Sequence, residues 1–307
     1  MTEFVATAAI DGAVSMLDEA RIPVTDRGFL YGDSIYEVFR TYHGVPLFLE
    51  EHWRRFENSA RLIHLALGDV RDELTADIRA AVAASGAGET GTDFYVRYIV
   101  TRGSGPIDLL PREDVALRRV VIVKSVPRWN PVHYSKGATL AIVATRRNPY
   151  EALDPNIKGG NYLNNVLGVI EANQFGADDC LMLSDAGLIT EASNSNVFFV
   201  IDGTLVTPSQ TAANLRGLTK AAIHAACRAN GIATEEVEIS TGDAMHATEC
   251  FLSSATREVM PVASLLGPSG ERREFPPGGG ELTRRVASLY RAAVDEYVAS
   301  HTHLALF

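Results

Sequence analysis

Apolar residues along the first half of the chain follow helical spacing in some segments and have strand-like composition in others. Between positions 48 and 67 they recur three or four residues apart, which predicts a helix with one buried stripe. A second helix is predicted over residues 72–84, and strands over residues 94–101 and 120–126, which are rich in Val, Ile and Tyr. The first half is therefore predicted as an α/β region.

The second half opens with a predicted strand over residues 138–145 and a polar loop. A helix follows, which we expect to be capped by Asn161 and to stop at Gly176; its apolar positions are Leu163, Val166, Leu167 and Ile170. Asp-Ala-Gly and Asp-Gly turns predict a compact antiparallel set of strands over residues 180–184, 196–201 and 204–207. Two more helices are predicted over residues 218–230 and 282–299. A Gly- and Pro-rich exposed loop is predicted between them, over residues 267–280.

The two halves meet at a stretch that has no periodicity. It reads Pro-Arg-Trp-Asn-Pro-Val-His-Tyr-Ser, and its two prolines favour extended backbone. A chain of 307 residues also exceeds the usual size of one domain. We therefore predict a small N-terminal α/β domain over residues 1–126, a linker over residues 127–135 and a larger C-terminal domain over residues 136–307.

Composition and charge narrow the classes of partner. The formal net charge of -10 disfavours a nucleic acid or an anionic membrane as the main partner, because the field of the whole molecule repels both. Cys180, Cys227 and Cys250 are widely spaced and odd in number, so we expect buried inert thiols, no disulfide framework, no metal site and a cytoplasmic location. The start of the chain lacks the pattern of a secretory signal, so we expect none.

Two charged residues, one in a polar loop and one at a predicted strand edge, suggest a specific chemistry. Lys158 lies in Asp-Pro-Asn-Ile-Lys-Gly-Gly-Asn-Tyr, just ahead of a predicted helix, and Glu191 opens the polar run Glu-Ala-Ser-Asn-Ser-Asn. A lysine amine and a carboxylate are what an enzyme needs to hold the two working ends of pyridoxal phosphate. Either residue alone is more often an ordinary surface charge, so the hypothesis depends on further residues.

A phosphate needs backbone N–H groups at a helix start and at least one cation. Gly217, Leu218 and Thr219 open a predicted helix and can supply the N–H groups. Arg55 can supply the cation from the flank of the first predicted helix. The alternative for Arg55 is a surface ion pair with Glu51, one helical turn earlier.

The ordered set of motifs resembles the class IV aminotransferases, the pyridoxal phosphate enzymes of fold type IV, over nearly the full chain. The matching segments are Asp26-Arg-Gly-Phe-Leu-Tyr-Gly-Asp33, Tyr36-Glu-Val38, Glu51-His-x-x-Arg55, Tyr95-Val-Arg97, residues 157–165, the series from Glu191 to Lys220, and residues 253–261. This resemblance implies a small N-terminal α/β domain and a larger C-terminal domain with a pseudo-barrel.

The resemblance also implies roles for individual residues. Lys158 is then the catalytic Schiff-base lysine and proton carrier, and Glu191 pairs with the pyridine nitrogen. Tyr162 bonds the phenolic oxygen of the cofactor, while the phosphate-binding set is Arg55, Gly217, Leu218 and Thr219. Backbone amides of Ala255 and Thr256 face the cofactor and the substrate carboxylate. Family members are at least homodimers, with Tyr31 and residues near Ile107 shaping the pocket across the interface.

The motifs specify the substrate less clearly than they specify the family. Tyr95 and Arg97 resemble the branched-chain pattern, in which the arginine receives the distal carboxylate of 2-oxoglutarate and the donor is an L-amino acid. Tyr36 and Val38 resemble the D-amino acid and (R)-amine transaminases instead, although the chain lacks their Arg-x-His pair after position 101. Asn161-Tyr162 stands where aminodeoxychorismate lyases carry Asn-Arg, which ranks that activity low, and a non-catalytic cofactor-binding protein is a further alternative.

Several positions depart from the family pattern. Ala255 and Ala192 replace a common threonine and a common glycine. Arg216 and Arg257 stand at usually uncharged positions. For Arg257 the alternatives are an extra ligand for a substrate carboxylate and an outward-facing cation at a strand end.

Overall fold

The computed structural model describes residues 3–112 and 114–307. Residues 1 and 2, which begin the segment that predicts no secretory signal, lie outside this description. The residues form two compact units, the first made of residues up to 127 together with 157–161 and 296–307, and the second made of residues 128–156 and 162–295. The predicted domain boundaries and linker stay a prediction.

The first unit is a sheet covered by helices. Its elements in chain order are β1 Thr7–Ile10, β2 Ala13–Met16, α1 Arg27–Tyr31, β3 Ser34–Tyr42, β4 Val45–Pro46, α2 Leu49–Leu62, α3 Val70–Ala84, α4 Ala87–Thr90, β5 Phe94–Thr101 and β6 Arg118–Ser125. The six strands form one antiparallel sheet in the order β2-β1-β6-β5-β3-β4. The predicted α/β content of this half is confirmed.

Aromatic side chains fill the core of the first unit. Trp53 and Phe56, from the predicted stripe of α2, pack edge to face with ring centroids 5.8 Å apart. Tyr98 of β5 lies against Trp53 at 4.7 Å. Each large side chain buried in this way contributes about 1.5–3 kcal/mol. The apolar periodicity of α2 therefore fixes which face of this helix packs on the sheet.

The second unit contains the remaining elements. They are α5 Pro131–Ser135, β7 Ala138–Arg146, α6 Leu163–Gln174, β8 Asp179–Leu183, β9 Ile189–Ala192, β10 Asn196–Ile201, β11 Thr204–Pro208, α7 Leu218–Ala229, β12 Thr234–Val237, α8 Thr241–His246, β13 Glu249–Ser254, β14 Glu258–Leu266, β15 Arg272–Glu274 and α9 Glu281–Ser300, with a short 3₁₀ turn at Gln210–Ala212. A second 3₁₀ turn, Thr302–Leu304, lies in the first unit. The final residues of α9 belong to the first unit by their contacts.

The nine strands of the second unit form one curled sheet, in the order β12-β11-β10-β13-β14-β7-β8-β9 with β15 beside β14. The edge strand β9 returns to the segment after β12, since Ile189 N–H donates to the carbonyl of Ile239 at 2.8 Å. Leu188 also forms an isolated bridge with Ser240. This return gives the sheet its barrel-like form, and apolar side chains of both ends share one core.

Three details of the second half differ from the predictions. β10 and β11 are antiparallel neighbours, but β8 pairs with β7 and β9 instead of joining them. β15 interrupts the loop predicted over residues 267–280. Asn161 does not cap α6, because the capping position is Tyr162, without a side-chain hydrogen bond, and Asn161 Nδ2 donates to the carbonyl of Gly32 at 3.3 Å.

Helix α6 also buries an unexpected face. Asn165, Gly168 and Ala172 are its buried residues. A Cβ added at Gly168 would lie 2.9 Å from Cys180 Sγ, so the helix approaches the sheet through small residues. The larger side chains Leu163, Val166, Leu167 and Ile170 are exposed.

No helix among the described residues has the length and apolar content needed to cross a membrane. The three cysteines are buried and free, as predicted.

Candidate active site

The loop that carries Lys158 lies against strand β3. Tyr36 N–H donates to the Lys158 carbonyl at 2.8 Å, and Gly160 N–H donates to the carbonyl of Ser34 at 3.1 Å. A Cβ added at Gly159 would lie 2.9 Å from that same carbonyl oxygen, and one at Gly160 would lie 2.5 Å from Ser34 Oγ. The two glycines after the lysine therefore allow the loop to dock on the strand, which fixes where the Lys158 side chain begins.

The Lys158 amine lies beside an aromatic ring that a second cation also contacts. Its Nζ is 3.4 Å from the Tyr36 hydroxyl and 4.6 Å from the centre of the Tyr36 ring. The Arg97 guanidinium lies 3.8 Å from the same ring centre. Arg97 Nε is buried without a hydrogen-bond acceptor, and within residues 3–112 and 114–307 no carboxylate pairs with this guanidinium. We define the Lys158 cluster as Lys158, Tyr36 and Arg97 together with three residues described next, Arg55, Glu37 and His52.

Arg55 is held by a carboxylate that the sequence analysis did not consider. Its Nε and Nη2 donate to the two oxygens of Glu37 at 2.6 and 2.8 Å, and Glu37 is fully buried on β3. His52 Nδ1 lies 2.7 Å from Glu37 Oε2. The alternative of a surface ion pair for Arg55 is therefore wrong, because α2 turns this arginine toward the sheet, where its side chain is 12% exposed.

Burial and ion pairing shift the pKa values of Glu37 and His52 in opposite directions. Burial alone raises the pKa of Glu37, but Arg55 and His52 outweigh it and hold the pKa of this carboxyl well below its usual range. Burial lowers the pKa of His52, and its neighbours Arg55 and Lys158 lower it further against the attraction of Glu37. Glu37 is therefore ionised at neutral pH and orients Arg55.

Glu191 is buried on β9 in the second unit, where two donors fix its carboxylate. Arg147 Nε donates to Oε1 at 3.0 Å and Leu215 N–H donates to Oε2 at 3.1 Å. Arg147 follows the end of β7, and its Nη1 also lies 3.5 Å from Asn164 Oδ1. Sequence reasoning missed Arg147, whose only signal was its place at the end of a predicted strand. We name Glu191 with these two donors the Glu191 cluster.

Helix α7 begins close to the Glu191 cluster in sequence and in space. Gly217 is its capping residue, with φ -70°, and no side chain caps the first N–H groups. A Cβ at Gly217 would lie 1.9 Å from Asn196 Oδ1, so only glycine permits this approach. Leu218 and Thr219 are the first residues of the helix, and Thr219 is buried. An uncapped helix start of this kind suits an anionic group.

The turn containing Ala255 and Thr256 connects β13 and β14. Both residues are half-buried. Arg257, which follows them, is buried and donates from Nη1 to Asp179 Oδ2 at 2.7 Å. An outward-facing cation is therefore wrong for Arg257, and the carboxylate that it binds belongs to its own chain.

Three further predicted residues, Tyr31, Tyr95 and Ile107, lie in the first unit. Tyr31 ends α1 and its ring contacts the Arg27 guanidinium at 4.9 Å, while the Tyr95 ring lies 5.4 Å from Lys124 Nζ. Ile107 is 73 % exposed. The predicted site residues belong to both units. Those of the first unit are Tyr31, Tyr36, Val38, Arg55, Tyr95, Arg97 and Lys158. Those of the second unit are Tyr162, Glu191, Gly217, Leu218, Thr219, Ala255 and Thr256.

Comparison with known proteins identifies the family. Residues 34–265 match the family described as amino-transferase class IV. The chain belongs to the class IV aminotransferases. The predicted family, transaminase activity and pyridoxal 5'-phosphate cofactor are thereby confirmed.

Relatives of this class IV aminotransferase carry two kinds of name. A Methanocaldococcus jannaschii protein named for branched-chain-amino-acid aminotransferase is 30% identical over 89% of this chain and 91% of its own length. The D-alanine aminotransferase of Bacillus licheniformis is also 30% identical, over 84% of this chain and 87% of its own length. The overall identity to named relatives therefore does not separate the two substrate classes.

Solved structures agree on the fold. The branched-chain aminotransferase of Thermoproteus uzoniensis, solved with norvaline, superposes with a TM-score of 0.83 at 24% identity, covering 95% of this chain and 97% of the other. The Escherichia coli branched-chain amino acid aminotransferase gives a TM-score of 0.84 at 24% identity, covering 96% and 95%. The predicted fold type IV architecture is confirmed for this class IV aminotransferase.

The donor set of this aminotransferase fits pyridoxal 5'-phosphate. A lysine amine, a buried oriented carboxylate and an uncapped helix start match the aldehyde, the ring nitrogen and the phosphate of the cofactor in chemical type. Only the glycine at position 217 leaves room for the helix start beside Asn196.

Proposed function

We propose that this enzyme transfers the amino group of a branched-chain L-amino acid to 2-oxoglutarate. The observation that carries the proposal is the pair of cations on the Tyr36 ring, Lys158 at 4.6 Å and Arg97 at 3.8 Å from its centre. The amine marks the reacting end. Arg97 is half-buried, its Nε is buried, and it has no carboxylate partner among residues 3–112 and 114–307, so its guanidinium suits the second carboxylate of a dicarboxylic acceptor.

The first unit supplies the reacting and charge-binding groups. Lys158 holds the cofactor through its amine and carries the proton that leaves the substrate's Cα. Arg55, oriented by buried Glu37, binds phosphate with its cationic end. Tyr31, Tyr36, Val38, Tyr95 and Arg97 form the substrate-contacting set of this unit.

The second unit supplies the groups that orient the cofactor. Glu191 keeps a proton on the pyridine nitrogen, while Arg147 and Leu215 N–H fix the direction of its carboxylate. Tyr162 donates to the phenolic oxygen, and the helix start at Gly217, Leu218 and Thr219 binds the phosphate. Backbone N–H groups of Ala255 and Thr256 face cofactor and substrate carboxylate. When bound, pyridoxal 5'-phosphate supplies an electron-withdrawing ring that stabilises negative charge at Cα.

A D-amino acid is the second candidate for the donor. Tyr36 and Val38 match the D-amino acid and (R)-amine enzymes, and the Bacillus licheniformis relative named D-alanine aminotransferase is 30% identical. The side chain of Val38 is half-buried and lies opposite Arg97 in the register of β3 and β5. A larger side chain than glycine at this position narrows the space near the guanidinium, which disfavours a bulky donor there.

A screen of the first half-reaction tests the donor. Purified protein loaded with pyridoxal 5'-phosphate is mixed with L-leucine, D-alanine and (R)-1-phenylethylamine in parallel, and the cofactor spectrum is followed as the amino group is accepted. The proposal expects the fastest change with L-leucine. A faster change with D-alanine would establish the second candidate, and no change with any amino donor would contradict transamination.

The acceptor is tested through Arg97. Replacing Arg97 with Met is expected to raise KM for 2-oxoglutarate roughly 10- to 100-fold, because a hydrogen-bonded charge contributes about 1.5–3 kcal/mol. KM for 4-methyl-2-oxopentanoate, which lacks the second carboxylate, should not change. Arg71→Met is the matched control, since Arg71 also lies over an aromatic ring, that of Trp53 at 5.3 Å, in an exposed place. Equal effects on both acceptors would contradict 2-oxoglutarate as the physiological partner of Arg97.

We also propose a cytoplasmic homodimer whose partners are small amino and 2-oxo acids, with no nucleic acid or membrane. Support comes from helix α6, which exposes Leu163, Val166, Leu167 and Ile170 on one face. Large apolar side chains grouped on a surface mark an association site. Sedimentation of Leu167→Glu against the wild type tests this: the wild type should sediment as a dimer and the variant as a monomer. A monomeric wild type would contradict the proposal.

A further inference from the structure

The turn between β13 and β14 is fixed by four separate contacts. Arg257 N–H donates to Ser254 Oγ at 3.2 Å, which closes the turn on itself. Trp129 Nε1 donates to the carbonyl of Thr256 at 3.1 Å, and the Tyr134 hydroxyl donates to the carbonyl of Arg257 at 3.2 Å. The fourth contact is the Arg257 side chain. Backbone amides in such a turn are held in a set direction.

The Arg257 side chain is a buried cation with one carboxylate partner. Its Nη1 donates to Asp179 Oδ2 at 2.7 Å, and the side chains of the two residues are 7% and 4% exposed. The guanidinium lies 4.3 Å from the centre of the Trp129 ring. Because an ion pair buried this deeply cannot exchange its partner for water without a large cost, the pair fixes the position of both residues.

Asp179 connects this turn to a second loop. Its Oδ1 accepts from Ser193 N–H at 3.3 Å and from Cys180 N–H at 2.8 Å. Ser193 lies two residues after Glu191, and its carbonyl accepts from Asn165 Nδ2 at 2.7 Å. One carboxylate at the start of β8 therefore binds both the loop after β9 and, through Arg257, the turn after β13.

We propose that Asp179 and Arg257 form a positioning pair that sets the backbone amides of Ala255 and Thr256 for binding the substrate carboxylate. The inference rests on the proposed function of that turn. It assigns Arg257 an indirect role, in contrast to the direct substrate contact that an arginine at this position would otherwise suggest. Neither residue of the pair touches the substrate, and both act through the backbone that they hold.

A positioning role and a merely structural role differ in their kinetic signature. If the pair only stabilises the fold, loss of Arg257 lowers the amount of active protein and leaves KM unchanged. If the pair aims the amides, KM for the amino acid and for the oxo acid rises together, while kcat per bound cofactor changes little. The split between KM and kcat is therefore the informative quantity.

The test compares wild type with Arg257→Met, Arg257→Lys and Asp179→Asn, all loaded with pyridoxal 5'-phosphate. Arg257→Met and Asp179→Asn are expected to raise KM for the best amino donor roughly 10- to 100-fold, the scale of a small misplacement of a binding group. Arg257→Lys keeps the charge and is expected to restore part of the loss. Arg272→Met is the matched control, because Arg272 pairs with Glu274 on exposed β15 in the same unit.

Binding of 4-methylvalerate provides a readout without turnover. This carboxylate is the ligand in one of the solved structures of a branched-chain amino acid aminotransferase. Calorimetry should show its affinity for Arg257→Met reduced by the same factor as the rise in KM. Unchanged affinity together with unchanged KM would overturn the positioning role.

A variant that removes both charges controls for loss of fold. Arg257→Met alone leaves Asp179 buried without its cation, whereas Arg257→Met combined with Asp179→Asn leaves no unpaired charge. The double variant should therefore unfold at a temperature nearer to the wild type and still show raised KM. Recovery of both stability and wild-type KM in the double variant would overturn the proposal. A wild type without any transaminase activity would instead contradict the proposed function, so the two failures are distinct.

Discussion

The Lys158 cluster and the Glu191 cluster each contain a buried glutamate, and the two glutamates differ in how fully they are occupied. Glu37 accepts from two nitrogens of Arg55 and lies 2.7 Å from His52 Nδ1. Glu191 accepts one donor at each oxygen, from Arg147 and from Leu215 N–H. A carboxylate oxygen can accept two hydrogen bonds, so Glu191 keeps capacity for a further donor.

This difference supports the different roles that we propose for the two glutamates. Glu37 is committed to its own unit and serves to orient a cation. Glu191 is oriented by its neighbours and can hold a proton on a ring nitrogen. In both cases the deciding factor is the number of internal donors, which the residue type does not reveal.

Loss of the reacting amine should have the largest effect. Lys158→Ala is expected to lower kcat by roughly a thousandfold or more, since general acid–base catalysis alone contributes about 10²–10⁴-fold. The thermal unfolding curve should stay close to the wild type because Lys158 is only half-buried. Lys136→Ala, an exposed lysine, is the control. Substantial turnover in Lys158→Ala would remove this residue from the reaction.

Neutralising each glutamate should affect different functional quantities, kcat for Glu191 and cofactor affinity for Glu37. Glu191→Gln is expected to lower kcat roughly 10- to 100-fold, because a hydrogen bond to a charged group contributes about 1.5–3 kcal/mol. Its stability should fall as well, by up to about 3–5 kcal/mol, because Arg147 is left largely buried without its counter-ion. Steady-state kinetics and denaturant unfolding measure both quantities. A stability loss without a rate loss would show that Glu191 serves the fold alone.

Glu37→Gln should act mainly on stability and on cofactor affinity. Removing one partner of a buried ion pair costs about 3–5 kcal/mol, because Arg55 is left without its counter-ion. The free energy of unfolding should fall by that order, and pyridoxal 5'-phosphate should bind more weakly as Arg55 loses its orientation. If unfolding is unchanged while kcat falls, the contrast between the two glutamates is wrong.

His224 and Glu37 should affect the stability of the protein in different ranges of pH. Burial lowers the pKa of His224, on α7, from 6.5 to about 4, so this residue stays neutral in the folded protein while the unfolded chain takes up a proton. Stability should therefore fall as the pH drops from 6.5 to about 4. His224→Gln should flatten that part of the curve.

The contribution of Glu37 should appear at lower pH. Its folded-state pKa lies well below the ordinary 4.5, so its stabilising effect is complete above 4.5 and is lost as the pH falls further. Glu37→Gln should flatten the curve only below 4.5. Denaturant unfolding at a series of pH values measures both slopes, and identical curves for the two variants would contradict this assignment.

The smallest effect is expected at an exposed ion pair. Arg71 and Glu50 pair at the surface of the first unit, with side chains 46% and 49% exposed. Arg71→Met should change the free energy of unfolding by less than about 1 kcal/mol, the usual limit for a surface pair. A loss as large as that of Glu37→Gln would mean that burial does not explain the difference between the pairs.

Periodic segments and ordered motifs were predictable from the sequence. The aromatic stripe of α2, the helices near residues 218 and 282, and the family itself follow from local spacing. Lys158 stood out because it lies in a polar loop beside two glycines, and Glu191 because it stands at a strand end followed by small polar residues. These signals depend on residues close together in the chain.

The partners of the charged residues were not predictable in the same way. Glu37 and Arg55 are 18 residues apart, and Asp179 and Arg257 are 78 apart. Their contacts depend on strand pairing and helix orientation, which the apolar pattern does not specify. Helix α6 shows the same limit, since its buried face consists of small residues and its large apolar residues are exposed.

The most direct test of the account is the chemical identity of the lysine that holds the cofactor. The loaded protein is reduced with borohydride and digested, and the peptide that carries the reduced cofactor is identified by mass spectrometry. The account predicts the label on Lys158 and none in Lys158→Ala. A label on any other lysine of the wild type, or a wild type that binds cofactor without becoming labelled, would contradict it.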